Sequence, residues 1–255
     1  MLNNIKLIVL GIFAGILGGL LGIGGGTIIV PMLIIICSMP QKKAQGTSLF
    51  CAMLIAISGI YPYTFHGNIN YIYGIFISLG AIIGAIIGSY IMKRTDTKIL
   101  RNIFVCLLIY VSINMIYTGI KQTDMIIYSF DLSKEWIVWS VLFTIGIITG
   151  TLSGLLGIGG GLIMVPSMLI LGFGQKMAQG ISLLCMIPTA FTGIISQAKA
   201  QNVDFKAGII IGGSSVIFSF LGANLISIIN ENHLKIGFGL FMLFVSYMMS
   251  RTKGK

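Results

Sequence analysis

Residues 15–31 read GILGGLLGIGGGTIIVP and residues 150–166 read GTLSGLLGIGGGLIMVP, identical at 13 of 17 positions with an offset of 135. Both stretches lie in runs without Asp, Glu, Lys or Arg, 7–41 and 136–175. As one straight helix, the 35 residues of the first run would extend roughly 52 Å, well beyond a hydrocarbon core of about 30 Å. Near the middle stand Gly22-Ile-Gly-Gly-Gly26 and Gly157-Ile-Gly-Gly-Gly161. Each glycine costs about 1 kcal/mol relative to alanine in a helix interior, so four in five residues break the helix. Pro31 and Pro166 follow, and proline is best tolerated in the first turn of a new helix. Small-residue helix packing accounts for single GxxxG pairs but not for a duplicated GIGGG followed by proline. The expected structure is a glycine-broken helix or re-entrant hairpin, present twice.

The duplication extends outward. Residues 41–51 (QKKAQGTSLFC) match 175–185 (QKMAQGISLLC) at 8 of 11 positions, with an offset of 134, and Asn68-Ile69-Asn70 matches Asn202-Val203-Asp204 more weakly. The chain divides into a first membrane repeat over 1–125, a linker over 126–134 and a second repeat over 135–255. The other apolar segments are expected at roughly 47–65, 72–92, 102–120, 181–197, 207–229 and 236–250. The Ile28–Ser38 leg is short for a crossing and leans toward re-entry.

Composition agrees with a chain that lives in lipid. Hydrophobic residues make up 56% and charged residues only 9%, with a mean hydropathy of +1.01, where a soluble domain carries about 25% charge. The solid apolar blocks exclude a transmembrane β-barrel, whose strands alternate over about ten residues. The fold class is therefore an all-α polytopic membrane protein. Lys6 precedes an apolar stretch as in a signal peptide, but no small-x-small cleavage site follows, so a retained membrane segment is expected. The net charge of +10 falls in short loops, where it sets orientation and gives no reason to expect nucleic acid.

Those loop charges test the hairpin. If each opening segment turns back, each repeat has an odd number of crossings and the two repeats are inverted in topology. The cytoplasmic side then holds 12 bases (Lys6, Lys42, Lys43, Lys93, Arg94, Lys98, Arg101, Lys199, Lys206, Arg251, Lys253, Lys255) and the outer side 4 (Lys121, Lys134, Lys176, Lys235). A single crossing gives 8 against 8. The positive-inside rule favours inverted repeats, with both termini cytoplasmic in the plasma membrane.

Inverted repeats with broken helices place a binding site near the midplane, where irregular backbone must be buried or line a cavity. The breaks offer unpaired N–H groups from Gly24, Gly25, Gly26 and Thr27, and from Gly159, Gly160, Gly161 and Leu162. Such groups at a helix start favour an anion. Gln45, Thr47 and Ser48, with Gln179 and Ser182, stand near the next helix starts and can donate hydrogen bonds without a buried charge; N-capping is their other reading. All six acids lie in or beside loops, unlike proton relays and cation pathways. His66 and His233 are expected in solvated loops. The four cysteines sit in apolar runs without metal or disulfide spacing, and Cys51 and Cys185 occupy equivalent positions. No metal or cofactor is expected. Ser58-Gly59 and Ser153-Gly154 have no membrane histidine to activate them, which argues against an enzyme. A small anionic substrate is the expected partner, handled by a carrier or by an anion-selective channel built from the duplicated loops.

The duplicated GLLGIGGG…VP, each followed by a basic turn and an A-Q-G-x-S-L helix start at Ala44–Leu49 and Ala178–Leu183, resembles the TauE/SafE family of sulfite-exporter-like permeases. The resemblance covers nearly the whole chain. It implies a multi-pass plasma-membrane transporter of sulfur-containing anions such as sulfite, thiosulfate or organosulfonates.

Overall fold

A computed structural model describes residues 2–121, 135–225 and 231–251; the expected linker over 126–134 lies outside them. They form ten α-helices and no strand: α1 (Leu2–Leu21), α2 (Gly26–Cys37), α3 (Gln41–Phe65), α4 (Tyr71–Arg94), α5 (Thr97–Lys121), α6 (Glu135–Leu156), α7 (Gly161–Ile170), α8 (Gln175–Lys199), α9 (Phe205–Asn224) and α10 (Glu231–Arg251). The order α1–α5 repeats as α6–α10. Six helices (α1, α3, α4, α6, α8, α9) are long and apolar enough to cross a membrane. The chain is a polytopic α-helical membrane protein.

The glycines stop the first helix of each copy where the sequence places the break. Gly22 takes φ +66°, and Ile23 N donates to Gly18 O at 3.2 Å, closing α1 in a Schellman motif. Gly157, at φ +71°, closes α6 more simply, its N–H on Ser153 O at 2.8 Å. Gly25 and Gly160, both left-handed, then open α2 and α7. The α2 helix folds back along α1, so that Ile28, Ile29 and Leu33 share a core with Leu7, Leu10 and Ala14. With 12 and 10 residues, α2 and α7 reach only about 18 and 15 Å and cannot span the core alone. Pro31 and Pro166 differ from expectation: each is the sixth residue of its helix rather than in its first turn. Lacking an N–H, they leave the carbonyls of Thr27 and Leu162 without their helical donors.

The two copies are interleaved. The first helix of each packs on the fourth of the other, α1 with α9 and α6 with α4. Glycines spaced four apart let the backbones meet: a methyl group on Gly84 would lie 2.2 Å from Ile147 O, and one on Gly150 2.2 Å from Ala81 O. Gly80 faces Phe143 and Gly88 faces Thr151, so α4 and α6 run parallel. The corresponding helices α3 and α8 cross antiparallel, with Gly193 against Leu49 and Gly59 against Leu183.

Helices α3 and α8 begin at Gln41 and Gln175, earlier than hydropathy indicated, so the Ala44–Leu49 and Ala178–Leu183 motifs lie within the helices and the basic residues before them are helical too. Their N-caps are Pro40 and Gly174, without side-chain caps. Side-chain caps occur instead at the fourth helix of each copy, where Asn70 accepts from Tyr73 N at 3.2 Å and Asp204 from Ala207 N at 3.1 Å. Asp204 also pairs with Lys43 at 3.1 Å. The Ala207 N–H bond and Lys43 hold its carboxyl below the usual range, against a partial desolvation that raises it. This stabilisation is complete above the unfolded carboxylate pKa and fades as pH falls through the lower folded value. Asp204→Ala is expected to cost about 1 kcal/mol, read as a lower Tm in detergent at pH 7. Asp204→Asn should keep the cap and lose the acid dependence at this site.

Candidate functional site

The two glycine turns meet at the centre of the bundle, and residues 21–31 and 153–162 are all buried. A methyl group on Gly26 would lie 2.7 Å from Ile158 O, and one on Gly161 2.6 Å from Ile23 Cα. Each short helix therefore starts against the turn of the other copy. The flanking glutamines are exchanged in the same way. Gly22 abuts the Gln179 backbone, with Cα 2.7 Å from an added methyl, and Gly157 abuts Gln45 at 2.5 Å.

Gly24 and Gly159 face a shared pair of side chains, Ala52 and Met186. These hold equivalent positions in α3 and α8, at an offset of 134. The Met186 thioether fills the space between the turns, an asymmetry between the copies that nothing local in the sequence reveals.

The predicted donors divide by what they touch. The first helical carbonyls accept late, Gly25 O from Ile28 N and Ile29 N, and Gly160 O from Ile163 N and Met164 N. The amides of Gly26, Thr27, Gly161 and Leu162 thus precede any intrahelical acceptor, with two helix dipoles behind them. Thr27 Oγ1, both amide atoms of Gln45 and Nε2 of Gln179 are buried without a hydrogen-bond partner. Ser153 Oγ, 3.7 Å from a methyl placed on Gly160, is likewise unpaired. Ser182 donates to Gly22 O at 2.8 Å and Ser48 to Gly26 O at 3.4 Å, so both hydroxyls tie down the first turn. Gln179 Oε1 lies 3.5 Å from Tyr63 Oη, which also reaches Gly19 O and Leu20 O at 3.1 Å.

Thr47 is not brought to the turns. It donates to Lys43 O at 2.8 Å and accepts from Asp204 N at 2.9 Å, which fixes the 200–204 loop of the other copy. Cys51 and Cys185 make equivalent contacts, their thiols on Gly208 O at 3.6 Å and Gly74 O at 3.3 Å, a packing role. His66 and His233 are exposed. No cluster of metal-ligating side chains occurs among the described residues. Lys235, counted with the outer loop bases in the sequence, lies instead inside α10 and is only 4% exposed.

Comparison with known proteins agrees with this architecture. The family model described as "Sulfite exporter TauE/SafE" matches residues 2–115 and 142–255, one match to each copy. A "Probable membrane transporter protein" of Methanocaldococcus jannaschii is 31% identical over 259 residues, 93% of this chain and 94% of that one. "Probable membrane transporter protein YunE" of Bacillus subtilis is 30% identical over 227 residues, 80% and 81% of the two chains. A Haemophilus influenzae protein of the same description is 28% identical over 261 residues, 95% and 96%. No solved structure matches. With both copies matched and the glycine turns paired at its centre, the chain belongs to the TauE/SafE family of membrane transporters.

Proposed function

We propose that the protein is a secondary transporter of sulfur-containing anions such as sulfite, thiosulfate or organosulfonates, working by alternating access around the paired glycine turns. One observation carries this reading: buried polar groups without a partner, on Gln45, Gln179 and Thr27, lie at two helix starts that meet at the centre and whose first amides have no intrahelical acceptor. Buried polar atoms are normally paired, and an oxyanion supplies the acceptors these lack. The contacting set is Gly24, Gly25, Gly26 and Thr27 of the first turn, Gly159, Gly160 and Gly161 of the second, and Gln45 and Gln179. Ser48 and Ser182 hold the first turn in place. The family description names sulfite export, and sulfite is a small oxyanion able to accept from such donors.

The two copies act as inverted repeats, a reading supported by the antiparallel crossing of α3 and α8 and by the charge distribution. The end of the bundle carrying Lys42, Lys43 and Lys93 faces the cytoplasm, as do both termini, in the plasma membrane. A negative-inside potential then drives anion efflux by about 2.3 kcal/mol per charge at 100 mV. The short, inward-facing α2 and α7 also favour a second reading, an anion channel with duplicated re-entrant loops. The concentration dependence of sulfite flux into proteoliposomes separates the two. A carrier saturates; a flux that rises linearly through the millimolar range would establish the channel.

A further inference from the structure

Lys235 is the only charged side chain that the fold buries among the described residues, at 4% exposure. Its Cβ packs on Gly119 of α5, 3.2 Å from a methyl built there. It lines a cavity of about 10 Å³ with Gln175 and Gln179 of α8, Val165 and Pro166 of α7, and Ile23 of the first glycine turn. Two further polar atoms there are orphaned: Gln175 Oε1 and Gln179 Nε2 have no partner, in residues 4% and 0% exposed. The ion pair found among the described residues is Lys43–Asp204, at another place in the fold. A lysine side chain so largely covered, with no ion pair of its own among the described residues, beside an orphaned amide N–H describes a receptor for an anion. The equivalent positions in the first copy, at an offset of 134, are Gln41, Gln45 and Arg101, and Gln41 Nε2 is orphaned too.

We propose that Lys235, Gln175 and Gln179 form an anion-binding station between the start of α10 and the glycine turns, taking small pyramidal or tetrahedral oxyanions. The station deepens the anion-transport reading and rests on it. Lys235 supplies the charge and up to three donors, Gln179 a fourth, and the Gln175 amide turns to present its N–H₂ to the ion. Ile23 of the first glycine turn lines the same cavity as Lys235, which sets the station beside the centre. A cavity of about 10 Å³ admits about one water, so an oxyanion enters only when α7 draws away from α8 and α10. The station is therefore a gated one.

The test is anion-dependent thermal stabilisation of the purified full-length protein in detergent, titrated with sulfite, thiosulfate, sulfate, chloride and neutral dimethyl sulfone. The wild type is expected to show saturable stabilisation by at least one oxyanion and none by the sulfone. Lys235→Gln should raise the apparent Kd about tenfold or more, the loss of one charged hydrogen bond, Lys235→Arg less than about threefold, and Gln175→Leu severalfold. An unchanged Kd in folded Lys235→Gln overturns the station while leaving anion binding intact. Glu231 stands one helical turn before Lys235, and an equal rise in Glu231→Gln overturns the station in favour of a structural ion pair. If no anion stabilises the wild type, station and anion reading fall together. Should Lys235→Gln not fold, Lys235→Arg and Gln175→Leu decide: unchanged affinity in the second overturns the proposal.

Discussion

Gly157→Ala is expected to remove most of the folded protein, and Gly22→Ala to do the same. At Gly157 the φ of +71° already disfavours an L residue, and the new methyl would lie 2.5 Å from Gln45 Cα and O. At Gly22 the φ is +66° and Gln179 Cα stands at 2.7 Å. The left-handed conformation costs roughly 1–2 kcal/mol and overpacking about 1–3 kcal/mol more. Because the obstacle is backbone of the other copy, relief requires parting α1 from α8 or α6 from α3. A total of about 2–5 kcal/mol is a large share of a typical domain's stability. Gly160→Ala is the control. Its φ is +90°, but the nearest atom to an added methyl is 3.5 Å away, so only the conformational strain applies. Yield and Tm in detergent should fall steeply for the first two and modestly for the third; equal losses at all three would show that the contact between copies does not matter.

The second large effect has opposite signs for stability and transport. Gln45→Leu keeps the approximate volume of a fully buried side chain and removes two amide atoms that have no partner. An unsatisfied buried polar group costs about 1–3 kcal/mol, so the variant is expected to melt higher than the wild type. Gln179→Leu should gain less, because its Oε1 keeps the 3.5 Å contact with Tyr63 Oη. If both amides face the substrate, each variant loses at least about tenfold in anion flux, one charge-assisted hydrogen bond. Higher stability with normal flux would remove the glutamines from the site. Lower stability with normal flux would make them structural.

Much of this architecture is written in local sequence. The GIGGG breaks are legible because no uninterrupted helix accommodates four glycines in five residues, and the repeat doubles the signal. The hairpin follows from length and charge placement before any contact is known. What escapes the sequence is non-local. Thr47 sits in the same motif as Gln45 and Ser48, and only the arrival of the 200–204 loop from the other copy assigns it to packing. Pro31 reads as a helix starter, yet the helix has begun five residues earlier at Gly26, because left-handed Gly25 already sets the start. Lys235 lies one turn inside α10 where hydropathy is still low, so it counts as a loop base until α5, α7 and α8 close around it. Met186 between the turns has no local signature at all.

The most direct measurement is counterflow: labelled sulfite or thiosulfate outside proteoliposomes preloaded with unlabelled sulfite, thiosulfate, an organosulfonate or chloride. A carrier of sulfur-containing anions will accumulate label transiently against its gradient when a sulfur anion is inside, saturably, and chloride will not substitute. The absence of accumulation with every preloaded sulfur anion, in vesicles shown to contain folded protein, would contradict transport of such anions around the paired glycine turns.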